Sequence, residues 1–400
     1  MGLTINIQTG GLGKQSADTD GWGGLYVGVV ALPAGWAENE VVKIFKPEDL
    51  LSYGIKADAA TPSLQLVYWH VSEVFRLAPN STLYVQLGTI AALHTYTEIL
   101  TAFKNASNVL RLFSVVMPTT ELVASEANGL HDALESLFDD SVQPARAILT
   151  CLAENTNAIP DFAALDYYRV QVDIANDITV GGLAKTIFDS ALGMCGAGGT
   201  FLGMLLNISV HVQQSWNSLP VNGDGRWSLL GDINGDSVET KTESEKAAYS
   251  TAGVVLITRT LRAVDAYFLS ARTAGAVGDD YDVLNNGRVI DKAITLTYDA
   301  LQPFLNGPVY TDPTTGKLSA ETITLFQNAA YSAINTNMVL GRVGDKVELV
   351  TDQNTGSLST DSVYINPNVN VSATGTIIIQ LRLRPVGAAN DIIINIGLTA

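Results

Sequence analysis

Four oxygen-bearing side chains in one short stretch have the spacing of a calcium-binding loop. Asp232, Asn234, Asp236 and Glu243 occupy positions 1, 3, 5 and 12 of an EF-hand-like pattern, which would place carboxylate and amide oxygens around a hard cation. The match is imperfect, because Ser237 stands where the sharp-turn glycine belongs and no second copy of the loop is present. Two interpretations therefore stay open, a calcium site and an Asx-rich turn.

Other segments that resemble catalytic motifs lack their defining residues. The run from Gly196 to Phe201 begins like a dinucleotide-binding fingerprint but has phenylalanine at its last glycine position. Gly13 and Lys14 are followed by Gln15, so no phosphate-binding loop is present, and the four histidines lack the spacing of a metalloprotease. We therefore predict a non-enzymatic protein with no catalytic or cofactor-binding residue and with calcium as the one cofactor to consider.

Composition and charge narrow the choice of partners. The chain has 400 residues, 47% of them hydrophobic, and a formal net charge of −17. Such a charge repels phosphate backbones and anionic lipid surfaces, so we expect neither nucleic acid nor a membrane as partner. The segment Ser190–Val210 is uncharged, but its five glycines favour close helix packing in a core over insertion in a membrane. Cys151 and Cys195 form no metal-binding pair and suit a reducing cytoplasm.

Strand and helix signals alternate over the first half of the chain. Strands are predicted at 25–30, 83–87, 109–117, 147–152 and 169–174, and helices at 47–53, 64–78, 95–105, 121–138 and 182–216. This alternation predicts an α/β domain with a largely parallel sheet. Glycine, proline and charged residues at 220–245 then indicate a long loop or boundary.

The second half is predicted to form an α+β domain. Strands are expected at 253–259, 346–351 and 376–384, and helices at 288–304 and 319–336, the latter capped by Ser319. The predicted organisation is an amino-terminal arm at 1–20, an α/β domain at 21–245, a second domain at 246–385 and a carboxy-terminal arm at 386–400.

Both ends of the chain have the two-residue periodicity of single strands. The alternating residues are Thr4, Ile5, Asn6 and Ile7 at one end and Ile392, Ile393, Ile394, Asn395 and Ile396 at the other. Glycines or a proline separate each segment from the rest of the chain. Because a lone strand leaves its backbone N–H and C=O groups unpaired, we expect each to add to a sheet, in its own subunit or in a neighbour's.

The second half also resembles a known family. Asp282–Ala293 reads Asp-Val-Leu-Asn-Asn-Gly-Arg-Val-Ile-Asp-Lys-Ala and precedes two helices and a strand in which Ile377, Ile379, Leu381 and Leu383 alternate. By this order of elements, residues 246–400 with the amino-terminal arm resemble the carboxy-terminal domain of contractile tail sheath proteins. These proteins form the outer sleeve of phage tails and related injection machines, and the likeness is closest to those of Mu-like phages and Bacteroidetes injection systems.

The resemblance implies a mechanism and a set of partners. Terminal arms of one subunit would add strands to a sheet in its neighbours, with Ile377, Ile379, Leu381 and Leu383 as the acceptor strand. It implies a helical homo-oligomer of stacked hexameric rings around an inner tube, in contact with baseplate and tail terminator proteins. The subunit would assemble in the bacterial cytoplasm and end in a virion tail or injection particle. The alternative is a calcium-dependent binding module, or an α/β enzyme, with a β-rich appendage.

Overall fold

The computed structural model describes residues 19–92, 94–141, 143–153, 159–259, 264–304, 309–339, 350–352, 358–374 and 377–385. Its strands are β1 Trp22–Val29, β2 Val41–Ile44, β3 Thr82–Thr89, β4 Leu112–Glu121, β5 Arg146–Leu152, β6 Val170–Asp173, β7 Asn176–Asp177, β8 Leu230–Gly231, β9 Val254–Val255, β10 Ile257–Thr258, β11 Tyr267–Phe268, β12 Val350–Asp352, β13 Val363–Ile365, β14 Ile379–Leu381 and β15 Leu383–Pro385. Its α-helices are α1 Pro62–Leu77, α2 Tyr96–Ala106, α3 Ala124–Ser141, α4 Leu183–Phe188, α5 Gly198–Asn207, α6 Glu243–Thr251, α7 Leu284–Leu301, α8 Ala320–Ile334 and α9 Val371–Thr374.

The main sheet has seven strands in the order β2-β3-β1-β4-β5-β6-β9. Every neighbouring pair is parallel except β2 with β3, which is antiparallel. The central strands are buried along nearly their whole length, as expected for parallel strands covered on both faces. The predicted α/β architecture with a largely parallel sheet is confirmed.

Helices cover both faces of this sheet. A Cβ placed on Gly23 would meet Leu202 and Leu206 of α5, whereas one on Gly24 would meet Phe103 of α2. Because successive strand residues point to opposite faces, α5 and α2 lie on opposite sides. We call this sheet with its helices the body.

Glycines let α5 pack closely against α1. A Cβ at Gly199 would lie 2.4 Å from the backbone oxygen of His70, and one at Gly203 would lie 2.8 Å from Val74 Cα. Both glycines and the rest of α5 up to Leu206 are buried. The prediction of close helix packing at 190–210 is thus confirmed, and no helix in the described part of the chain is long and apolar enough to cross a membrane.

Two sequence predictions for the body differ from the structure. The helical region predicted at 182–216 is two short helices, α4 and α5, with the glycine-rich segment at 193–197 between them. The strand predicted to open the second domain, 253–259, instead supplies β9, the last strand of the body's sheet. The body therefore takes a strand from beyond residue 245, and its hydrophobic core runs on to Leu284.

Candidate assembly site

The loop with calcium-binding spacing is stabilised by hydrogen bonds within the loop and by an ion pair with a lysine. Asp232 is buried, and its Oδ1 accepts hydrogen bonds from the backbone N–H groups of Asn234 and Asp236, each at 3.0 Å. The Nζ atom of Lys241 lies 2.9 Å from Asp232 Oδ2. The lysine ammonium thus lies against the carboxylate that would be the first calcium ligand.

The fourth predicted ligand does not join the other three. Glu243 is the first residue of α6, its side chain is 71% exposed, and it pairs with Lys246 at 2.8 Å. Thr242 caps this helix and accepts a hydrogen bond from the backbone N–H of Glu245. Across the described ranges, no three histidine, cysteine, aspartate or glutamate side chains form a group that could hold a metal ion. The geometry is that of the Asx-rich turn, and calcium binding stays a prediction.

The segment that carries the family resemblance packs α7 against the body. Arg146, from the start of β5, contacts Asp291 of α7 through Nε and Oδ2 at 2.8 Å, and both residues are buried. Gly287 makes room for this pair, because a Cβ there would lie 1.8 Å from Arg146 Cζ. The Nη1 atom of Arg169 also lies 3.6 Å from Asp291 Oδ1. The Asn-Gly-Arg and Ile-Asp-Lys parts of the segment therefore have a structural role in joining α7 to the sheet.

A second buried acid joins the start of β1 to the same helix. The side chain of Asp20 is 6% exposed and contacts Arg111 Nη2 at 2.8 Å as well as Lys292 of α7. Burial by itself raises the pKa of Asp20, but the charges of Lys292 and Arg111 outweigh burial and hold this pKa below its usual range. The point where the predicted amino-terminal arm meets the body is thus bound to α7 through Lys292 and to the residue before β4 through Arg111.

The predicted acceptor strand is not one continuous strand. Ile379–Leu381 pairs antiparallel with Val363–Ile365, whereas Leu383–Pro385 pairs antiparallel with Val350–Asp352. The two pieces belong to separate two-stranded sheets and are divided at Arg382, whose guanidinium lies 4.3 Å from the Tyr364 ring centroid. Ile377 precedes β14 without belonging to it. The prediction of one continuous strand at 376–384 was therefore wrong.

One edge of β14 is open within the described part of the chain. The backbone N–H of Arg382 donates to Ser362 O at 2.8 Å, which sets the alternation of the β13–β14 ladder. In this alternation Gln380 faces β13, and the backbone groups of Ile379 and Leu381 point away from it. No described residue forms a backbone hydrogen bond with these outward groups. Among the described residues, therefore, no strand pairs with this edge of β14.

An apolar groove of about 880 Å³ lies beside this open edge. Ile290, Ile294 and Leu301 of α7 form part of its wall, and Ile377, Ile379 and Leu381 form another part. Phe304, Phe326 and Val371 also line it. The α7 residues repeat at helical spacing on a different face from Arg288 and Asp291. This second apolar stripe on the helix is a sequence signal that indicates a second packing surface.

Both predicted arms lie outside the described residues. Thr4, Ile5, Asn6 and Ile7 precede the first described residue, and the segment Ile392–Ile396 follows the last. Of the predicted assembly residues, the structure therefore places the acceptor strand and brings Ile377, Ile379 and Leu381 together at one groove. Leu383 does not line the groove, and it packs with Leu381 against the small cluster formed by Val210, Val289, Ala293, Ile334 and Met338.

The sequence matches no protein-family model and no curated protein. Among solved structures, the chain is similar to the helical sheath of the anti-feeding prophage in its contracted state, with 14% identity, a TM-score of 0.61, and coverage of 99% of this chain and 98% of that chain. A chain of the baseplate of the anti-feeding prophage gives 14% identity and a TM-score of 0.63 over 100% and 99% of the two chains. The PVC sheath complex of an extracellular contractile injection system, in its contracted state, gives 13% identity and a TM-score of 0.59, with coverage of 99% of this chain and 97% of that chain. The chain therefore has the fold found in the sheaths of contractile injection systems.

Proposed function

We propose that the chain is a structural subunit of a contractile sheath. In this role it polymerises around an inner tube, contracts to drive the tube through a target envelope, and has no enzymatic activity. Likeness over nearly the whole chain to two contracted sheaths supports the proposal. The single observation that carries it is the open edge of β14 beside an apolar groove, because this geometry fits an added strand.

The carboxy-terminal arm of a neighbouring copy has the right chemistry to fill this groove. Ile392, Ile394 and Ile396 share one face of a strand, and that face would lie on the apolar wall. Its backbone would pair with the outward N–H and C=O groups of Ile379 and Leu381. The amino-terminal arm, Thr4–Ile7, is proposed to add to a neighbour's sheet in the same manner. Strand exchange of this kind would keep subunits connected while they slide during contraction.

The proposed partners follow from this role. The chain would bind copies of itself in stacked hexameric rings, an inner tube inside them, a baseplate at one end and a terminator at the other. Assembly would take place in the bacterial cytoplasm, and the product would be a virion tail or an injection particle. The net charge of −17 disfavours nucleic acid as a partner and disfavours insertion into anionic membranes.

Electron microscopy of two chains tests the proposal. The full chain should form tubes or rings in negative stain, and a truncation ending at Pro385 should not. The melting temperature of the truncated chain provides the control: it should match that of the full chain measured unassembled, because the described core of the body runs from Leu25 to Leu284. Monodisperse monomers in both preparations would contradict a sheath.

A second experiment separates exchange between copies from pairing within one copy. Residues 386–390 could form a short hairpin loop, so the arm could also return to its own β14. Chains with Ile379→Cys should be mixed with tagged chains that carry Ile392→Cys, Ile394→Cys or Ile396→Cys, one per preparation. A disulfide-linked pair of tagged and untagged chains shows exchange. Cys151 and Cys195 are buried, so they should contribute little background.

A further inference from the structure

A large cleft, separate from the apolar groove beside β14, has polar walls. Its volume is about 1000 Å³, at the upper end for ligand pockets, and it lies between α6, β11 and the start of α7. Hydroxyl and amide groups dominate the lining, among them Ser270, Asn217 and Asn285. Trp216 and Tyr267 add aromatic surface. The cleft shares no lining residue with the apolar groove beside β14, so the two are separate cavities.

The charges in this cleft cancel. Arg272 and Asp282 are the charged residues of its lining, and they pair through Nη1 and Oδ2 at 2.6 Å. Asp282 Oδ2 also accepts a hydrogen bond from the backbone N–H of Gly278. A lining whose charged residues are paired with each other offers no free charge to recognise a charged ligand of either sign.

Two buried polar atoms in the wall have no hydrogen-bond partner in the described part of the chain. Asn285 is 3% exposed, and its Nδ2 donates to His211 O while its Oδ1 is unpartnered. The Oγ atom of Ser270 is likewise buried and unpartnered. Leaving such groups unpaired costs about 1–3 kcal/mol each, so native proteins usually satisfy them with water or a ligand. Both atoms belong to residues of the lining but have almost no exposed surface, so a ligand would contact the exposed polar groups of the cleft instead, such as Asn217 and Ser218.

We propose that this cleft binds a neutral oligosaccharide. Sugars offer many uncharged hydroxyl groups for amide and hydroxyl walls, and an apolar ring face for an aromatic side chain. Trp216 is half-buried and packs edge-on against His211, which leaves indole surface for a sugar ring. Arg272 and Asp282 would bind adjacent hydroxyls as a neutral pair. The proposal does not depend on the sheath function.

Ligand-observed saturation-transfer NMR on the full chain tests it, with maltotriose, cellotriose and chitotriose as probes. At least one trisaccharide should show transfer. Trp216→Ala should weaken binding about tenfold, as expected for loss of an aromatic contact. Asn217→Ala should weaken binding without lowering the melting temperature, because it removes an exposed amide of the cleft lining. Ser136→Ala, on α3 outside the cleft, is the matched control.

Several results would overturn the proposal. One is the absence of transfer from all three trisaccharides, and another is transfer of equal strength in Trp216→Ala. Equal binding of a charged peptide such as Ala-Asp-Ala would contradict a neutral ligand. Hydrogen exchange supplies a last check: strong protection of residues 247–251 and 267–272 on assembly, without sugar, would identify the cleft as a contact between copies.

Discussion

The body and the region after α7 bury their apolar side chains to very different degrees. The body has one continuous core from Leu25 to Leu284 around a seven-stranded sheet. After α7, the described residues form small clusters, such as that of Leu318, Phe326, Ile365 and Val371, and three-residue strands in two-stranded sheets. Ile378 is 54% exposed there, and no described strand pairs with the outer edge of β14. Two-stranded sheets are marginal alone, so the added strand proposed above would also stabilise this region.

The sharpest test of this contrast changes the two faces of the carboxy-terminal arm separately. We expect Ile392→Asp, Ile394→Asp and Ile396→Asp together to abolish tubes, because each would place a carboxylate on the apolar groove at a cost of several kcal/mol. The melting temperature of the body should not change. Sedimentation and negative-stain microscopy report the first effect, and circular dichroism reports the second.

The opposite face of the same arm supplies the matched control. Ile393→Asp with Asn395→Asp alters residues that alternate with the apolar face, so assembly should persist. Loss of tubes with both sets of substitutions would show that the arm tolerates no added charge. The assigned face would then be wrong.

The next prediction concerns α7, which both regions share. Gly287→Ala should lower the free energy of unfolding by about 3–5 kcal/mol, because the new Cβ would displace Arg146 from its buried pair with Asp291. Urea unfolding of the unassembled full chain measures this change. Asp299→Ala, at an exposed position of the same helix, should change stability by less than about 0.5 kcal/mol. Equal effects of the two substitutions would contradict a body-facing role for Gly287.

A pH-dependent effect should belong to the body alone. Burial by itself raises the pKa of Glu73, but Arg76, Arg226 and the Trp227 indole N–H outweigh it and lower this pKa to about 2. A lowered carboxyl pKa adds stability above the ordinary value of 4.5, and this stability is lost as pH falls from 4.5 towards 2. The full loss should be about 3–4 kcal/mol, since each pKa unit corresponds to about 1.4 kcal/mol, and about 2 kcal/mol of it should be lost by pH 3.

Unfolding measured at pH 6 and at pH 3 checks this expectation. Glu73→Gln should unfold more easily at pH 6 and show a smaller difference between the two pH values. Glu243→Gln, at an exposed position, should keep the difference seen in the unchanged chain. A pH dependence that Glu73→Gln leaves intact would assign the effect to other carboxyl groups.

The sequence predicts the body well because buried parallel strands read as apolar runs between amphipathic helices. Strands such as Thr82–Thr89 and helices such as Pro62–Leu77 fall close to their predicted bounds. β2 was not predicted, because a four-residue segment carries too little periodicity. β9 lies within the strand predicted at 253–259, but the sequence did not show that this strand pairs with β6 of the body. Glu73 gave no signal either, since its burial depends on Arg226 and Trp227, far along the chain.

The candidate site was predicted in part. The alternation of Ile377, Ile379 and Leu381 predicts one apolar face, and the structure places that face at the groove. The division at Arg382 could not be predicted, because it reflects two different partner strands, β13 and β12. The spacing of Asp232, Asn234, Asp236 and Glu243 has a related limit as a signal. Sequence distance does not show that Glu243 begins a helix or that Lys241 pairs with Asp232.

The smallest expected effect is that of calcium on the melting temperature of the body. Adding calcium or EDTA should move the melting temperature by less than about 1 °C, because the Lys241 ammonium already neutralises Asp232. Lys241→Gln removes this competing charge and should increase the response to calcium. If the unchanged chain instead gains several degrees with calcium, the Asx-turn interpretation fails. The body would then also depend on a bound partner for part of its stability, and in this respect it would differ less from the region after α7.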